Sequence, residues 1–124
     1  MIQTSNFETH SRVHFKNPVS IALGPGKEYS GRAYPKLMPP SDLFQRYHVG
    51  LVTPDEFARE YRWRVLSKLN PVLVAEELGA DATLLCHEKD DKFCHRHVVA
   101  VWFTEHGIPV TEYTENRCLS EWFD

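Results

Sequence analysis

The chain has 124 residues, 42% of them hydrophobic and 25% charged, with a formal net charge of −3. That size and make-up describe one globular domain spanning 1–124 and exclude a disordered or fibrous chain. No apolar run reaches the ~18 residues a membrane span needs, and the acidic balance excludes a whole-domain basic face for duplex nucleic acid.

Residues 1–16 show no hydrophobic period and read as a mobile or loosely docked N-terminal arm. They carry neither a basic stretch nor an apolar stretch of the secretory kind, so a cytoplasmic protein is expected. The core is expected over 18–113. Val19, Ile21 and Leu23 alternate with Ser20 and Ala22, which predicts a strand over Pro18–Leu23, ended by Gly24-Pro25-Gly26. A long connection marked by Gly31, Pro35, Pro39 and Pro40 follows, and such connections are often functional. Lys27, Arg32 and Lys36 make it locally basic, while Arg32 and Tyr34 are candidates to pair with and stack on a ligand.

Ser41 reads as the cap of a short helix stopped by Gly50. Thr53-Pro54-Asp55-Glu56 is a stronger start, with Thr53 at the cap, Pro54 at the first helical position and Glu56 completing a capping box. Phe57, Tyr61, Val65 and Leu69 then recur every four residues as one apolar stripe. Asn70-Pro71 begins another helix, closed at Gly79.

Ala82-Thr83-Leu84-Leu85-Cys86 is a short, nearly continuous apolar run and reads as a buried strand. Cys94–His106 reads as a helix closed by Gly107, and Ile108–Tyr113 as a strand. Strand, helix and strand together predict a right-handed βαβ unit. The residues after 113 form a polar tail in which Cys118 is incidental. The fold expected is therefore α/β, a three-layer domain around a small, mainly parallel sheet with a C-terminal βαβ unit. Ligands of such sheets bind beyond the carboxyl ends of the strands. Those ends are Leu23–Gly26, Cys86–Glu88 and Glu112-Tyr113.

The densest chemistry lies in the connection from the apolar strand to the last long helix, Cys86-His87-Glu88-Lys89-Asp90-Asp91-Lys92-Phe93-Cys94-His95-Arg96-His97. Leu84-Leu85-Cys86-x-Glu88-Lys89 followed by Cys94-His95-Arg96 resembles the signature of family 488 of the domains of unknown function. The turn after the first strand, Tyr34-Pro35, Leu37-x-Pro39, Phe57-x-x-x-Tyr61 and the helix reaching Trp102 match in order, so the resemblance covers roughly residues 18–113. It implies the fold and the place of the site, and no particular reaction.

Several readings of this segment stay open. Cys94, His95 and Arg96 at a helix N-terminus suit an anion pocket, because unpaired N–H groups and the helix dipole favour negative charge there. Arg96 would clamp the anion, Cys94 would be a thiolate nucleophile, and Glu88 or His95 would move the proton. Cys86, with Arg32 and Tyr34 from the facing connection, would complete the pocket. An anionic small molecule, nucleotide-like or nucleic-acid-linked, is the partner this implies. The rival is a non-catalytic binding or interaction module, in which both cysteines are buried hydrophobes and Arg96 pairs with Glu88. A zinc site using Cys86, Cys94 and His97, with His87 as a further donor, is an alternative whose cysteine spacing is unlike that of structural zinc motifs. A Cys86–Cys94 disulfide or redox pair is another. A phosphatase-type cradle would need arginine where Lys92 stands, and Glu88, Asp90 and Asp91 would repel a dianion.

Overall fold

Strand β4 (Ala82–Cys86) buries all five of its side chains, as its apolar run requires, and it occupies the middle of the sheet. The computed structural model describes residues 1–24, 29–88 and 92–114. Strands β1 (Ile2–Asn6) and β2 (Asn17–Ser20) pair with β4 on either side. The short strands β3 (Arg32–Ala33) and β5 (Val110–Glu112) form the edges. Among the described residues the sheet has five strands in the order β3-β2-β4-β1-β5, and every pairing is parallel.

The N-terminal arm expected from the sequence is instead this inner strand β1 followed by helix α1 (Phe7–Val13). Gln3, Thr4, Ser5 and Asn6 hide the strand from a hydrophobic period because most of its polar side chains are bonded rather than solvated. Gln3 Nε2 donates to Thr83 Oγ1 at 2.9 Å, Thr4 Oγ1 donates to Glu112 Oε1 at 2.5 Å, and Asn6 Oδ1 accepts from Thr9 N at 2.8 Å to cap α1.

The register of β1, β4 and β2 puts Thr4, Leu84 and Val19 on one face of the sheet, with Ser5, Leu85 and Ser20 on the other. The first face carries the main core, where Val19, Ile21 and Leu84 cluster with Phe57, Tyr61, Leu78, Val99 and Phe103. The second packs Leu85 and Ala22 with Phe7 of α1. Helices thus flank both faces, and the α/β three-layer expectation holds.

Helix α2 spans Ser41–His48, with Pro40 rather than Ser41 at its N-cap. Helix α3 (Pro54–Arg64) has the expected capping box, in which Thr53 Oγ1 accepts from Glu56 N at 3.1 Å and Glu56 Oε1 accepts from Thr53 N at 2.9 Å. It stops short of the predicted Leu69 and gives way to a 3-10 turn over Leu66–Lys68 that buries Leu66. Helix α4 (Pro71–Leu78) is capped by Asn70 and ends at Gly79, whose φ of 87° suits glycine. Helix α5 (His95–Glu105) begins immediately after Cys94. The C-terminal βαβ unit is present as β4-α5-β5, but its strands are not neighbours, because β1 lies between them. Among the described residues no helix is long and apolar enough to cross a membrane. The polar tail expected after residue 113, with Cys118, lies outside the described residues apart from Thr114, and so do Pro25, Gly26 and Lys27.

Candidate functional site

The backbone of β4 delivers Cys86 to the carboxyl end of the sheet, and α5 starts beside it with Cys94 at the N-cap. Cys94 is extended there and makes no side-chain capping bond, so its sulfur is left for other contacts. The Sγ atoms of Cys86 and Cys94 are in direct contact, as a disulfide would place them, across a Cα separation of 7.3 Å. That span is wider than the roughly 4.4–6.8 Å of most disulfides. Cys86 is 1% exposed and Cys94 6%.

His95 lies beneath the sulfurs. Its Nε2 is 2.6 Å from the carbonyl oxygen of Ile21, and a carbonyl only accepts, so Nε2 carries the proton. The other nitrogen, Nδ1, therefore presents a lone pair, 3.6 Å from Cys94 Sγ. Tyr61 meets the imidazole edge-on with ring centres 5.6 Å apart. Burial drives the pKa of His95 down to about 4 against the opposing bond to Ile21, and the nearby charges of Arg96, His87 and His97 push the same way as burial. At neutral pH His95 is an uncharged acceptor facing the sulfur of Cys94.

Arg96 is fully buried. Its Nη1 donates to Cys86 Sγ at 2.8 Å and to the Glu88 carbonyl at 2.9 Å. Its Nε and Nη2 donate to the two carboxylate oxygens of Glu112 at 3.2 and 3.0 Å. This fork is the bidentate geometry that suits guanidinium and carboxylate. Half-burial would raise the pKa of Glu112, but hydrogen bonds from His97, Arg96 and Thr4 outweigh it and hold the carboxyl at about 2. The clamp expected of Arg96 for a ligand anion is thus directed at Glu112, and its partner at Glu88 is the backbone carbonyl rather than the carboxylate. Sequence reasoning placed Glu112 at a strand end without giving it this role. Only the pairing of β5 with β1 brings it under α5.

A cavity of about 340 Å³ opens above the cluster. Cys86, Cys94 and His95 line its depth, Leu23, Pro39 and Phe44 supply apolar wall, and His48, His87 and Glu88 supply the polar groups. His87 is exposed, with Nε2 3.2 Å from the Gly24 carbonyl and its ring 5.0 Å from that of Phe7. Phe44 and His48 stack in parallel, one helical turn apart on α2. Neither was singled out from the sequence. Their spacing of four residues marks one helix face, which is the only signal the chain offers for them.

Arg32 and Tyr34 are not brought to this site. The guanidinium of Arg32 reaches back to the amino end of β2, 3.5 Å from Asn17 Oδ1, and donates to the Leu78 carbonyl at 2.8 Å and to the Glu77 carbonyl. Tyr34 donates its hydroxyl to Glu77. Arg32 thus satisfies the carboxyl end of α4, where free carbonyls and the helix dipole attract a cation, while Tyr34 pairs with the side-chain carboxylate of Glu77 in the same turn. His97 also departs from its expected role, with Nε2 3.8 Å from Glu112 Oε1. The metal-ligating atoms that converge among the described residues are those of Cys86, Cys94 and His95, all within 4.8 Å of one another.

The fold and this cluster define an α/β domain with a parallel sheet that gathers two cysteines, a histidine and an arginine at its carboxyl end. The family described as the active DUF488-N3 subclade, DUF488-N3a, matches residues 9–107, and the chain belongs to it. No curated protein and no solved structure matches the chain.

Proposed function

We propose that the chain is a thiol-dependent enzyme or sensor for a small anionic, nucleotide-like molecule, working in the reducing cytoplasm. The observation that carries this reading is the position of Cys94, whose sulfur lines an open cavity with the unprotonated Nδ1 of His95 3.6 Å away. That pair is the arrangement of a nucleophile and its base. The thiol proton passes to His95 as sulfur attacks an electrophilic centre of the ligand, and the displaced group leaves with that proton. Because His95 is held at a low pKa, it takes the proton only transiently and stays neutral between turnovers. Arg96 Nη1 donates a hydrogen bond to the neighbouring sulfur of Cys86. The ligand's anionic group meets His48, His87 and the N–H groups opening α5, with Glu88 as a second proton-transfer group at the wall.

The test is the rate of alkylation of Cys94 in reduced, metal-free protein, with and without a panel of nucleotides and phosphate metabolites. The reading expects one class of compound to protect Cys94, and expects His95→Gln to slow labelling of the free protein. Uniform labelling at the rate of a free thiol, unaffected by any compound or by the variant, refutes it.

A second reading is favoured by the complete burial of Arg96 and Cys86, namely that the cluster is a folding device in an interaction module. Thermal melts separate the two. Loss of stability in both Cys94→Ser and Arg96→Ala supports the module, whereas retained stability of Cys94→Ser with loss of the Tm shift that a protecting compound gives the wild type supports the enzyme or sensor.

A further inference from the structure

We infer that Cys86, Cys94 and His95, with both thiols reduced, bind one zinc ion with a fourth coordination position open to the cavity. The three donor atoms are gathered from two separate elements within 4.8 Å of one another, and all three residues are buried. Zinc takes sulfur at about 2.3 Å and imidazole nitrogen at about 2.0 Å, so a tetrahedral ion sets a sulfur and a nitrogen about 3.5 Å apart. Cys94 Sγ and His95 Nδ1 already stand 3.6 Å apart. The same geometry sets two sulfurs about 3.8 Å apart. Turning Cys86 Sγ away from Cys94 would widen the pair toward that value while Cys94 keeps its place beside His95, and the Cα atoms stand 7.3 Å apart.

The surroundings point the same way. A metal-bound histidine generally donates its other ring N–H to a carbonyl or carboxylate, which selects the tautomer and orients the ring. His95 does so to Ile21 at 2.6 Å, leaving Nδ1 as the free donor. A thiolate ligand is supported by hydrogen bonds to sulfur, and Arg96 Nη1 supplies one to Cys86 at 2.8 Å. The positive charge of Arg96 is answered by Glu112, so it does not stand unbalanced beside the ion. The two thiolates neutralise a divalent cation, and three protein ligands with an opening is the pattern of a zinc site that exchanges its fourth ligand.

This inference rests on the proposed function only in placing the working groups at these residues, and it adds their regulation. The ion and an attacking electrophile compete for the same sulfur, so zinc masks Cys94 and its removal exposes the thiol. The test uses reduced full-length protein and the metal alone. Cobalt substitution reports thiolate charge-transfer and tetrahedral d–d bands, and native mass spectrometry reports stoichiometry. One ion per chain, with both bands and with zinc blocking alkylation, is expected. Loss of a direct ligand should exceed the roughly 10–100-fold cost of losing an outer partner, so His95→Gln is expected to weaken binding by about 100-fold or more. His97→Gln leaves it within about threefold. Reduced wild-type protein that shows neither band and no protection overturns the inference whether or not any variant folds. Wild-type affinity in His95→Gln, or a large loss in His97→Gln alone, overturns the ligand set. The thiol-labelling rate of metal-free protein is a separate readout, so failure of the proposed function is told apart from failure of metal binding.

Discussion

Acidification from pH 7 to pH 5 should destabilise the fold, and His95 should be the main cause. Burial holds its imidazole at about 4 in the folded chain, whereas the unfolded imidazole titrates near 6.5. Between those values the unfolded chain binds a proton that the folded chain does not. Stability is therefore intact above about pH 6.5 and drains as the pH falls toward 4. Integrated from pH 7 to pH 5, the difference comes to about 2 kcal/mol, or roughly 8 °C in Tm for a domain of this size. His10 is also held below its ordinary value, by burial and by His14, and adds in the same direction. The assay is thermal or urea unfolding at both pH values with chelator and reductant present. It compares wild type with His95→Gln, whose amide keeps a donor for the Ile21 carbonyl but cannot titrate. The variant should lose about 2 kcal/mol less than wild type over this interval. Equal losses in the two proteins would mean that the buried, Ile21-bound imidazole is not what makes the fold acid-sensitive.

Deletion of residues 1–6 removes an inner strand and should abolish the cooperative unfolding transition seen by circular dichroism; a stable, cooperative remnant would contradict the strand order. Arg96→Ala takes the guanidinium donor from Cys86 and the Glu88 carbonyl and leaves Glu112 only its bonds from Thr4 and His97, and should cost about 3–5 kcal/mol in urea unfolding. Glu112→Gln, which removes the carboxylate charge onto which the buried guanidinium forks, should cost a similar amount. Tyr61→Phe deletes a 2.5 Å hydrogen bond to the Leu37 carbonyl and should cost about 1–2 kcal/mol with no change in thiol labelling. Arg32→Ala should likewise leave thiol labelling and ligand protection unchanged, because its guanidinium serves the end of α4.

What the chain revealed on its own was local. The capping box at Thr53–Glu56, the Asn70-Pro71 start, the apolar run of β4 and the span of α5 are each written within one or two turns or one strand of sequence, and the structure reproduces them. The meeting of the two cysteines was legible for the same reason. Cys86 and Cys94 bracket one short connection, so a strand and the helix that follows it bring them together whatever the rest of the fold does. The features that eluded the sequence depend on partners far along the chain. The strand β1 carries polar residues whose burial makes sense only once Thr83 and Glu112 are beside them. Arg96 reads as a free clamp until β5, aligned by β1, sets Glu112 against it, and Arg32 reads as a ligand group until α4 offers its carbonyls. Sequence determined the elements and the chemical inventory, because propensity, capping and hydrophobic period act over short range. Tertiary structure alone decided which charges are already satisfied, because hydrogen-bond and ion-pair partners are chosen by proximity in space.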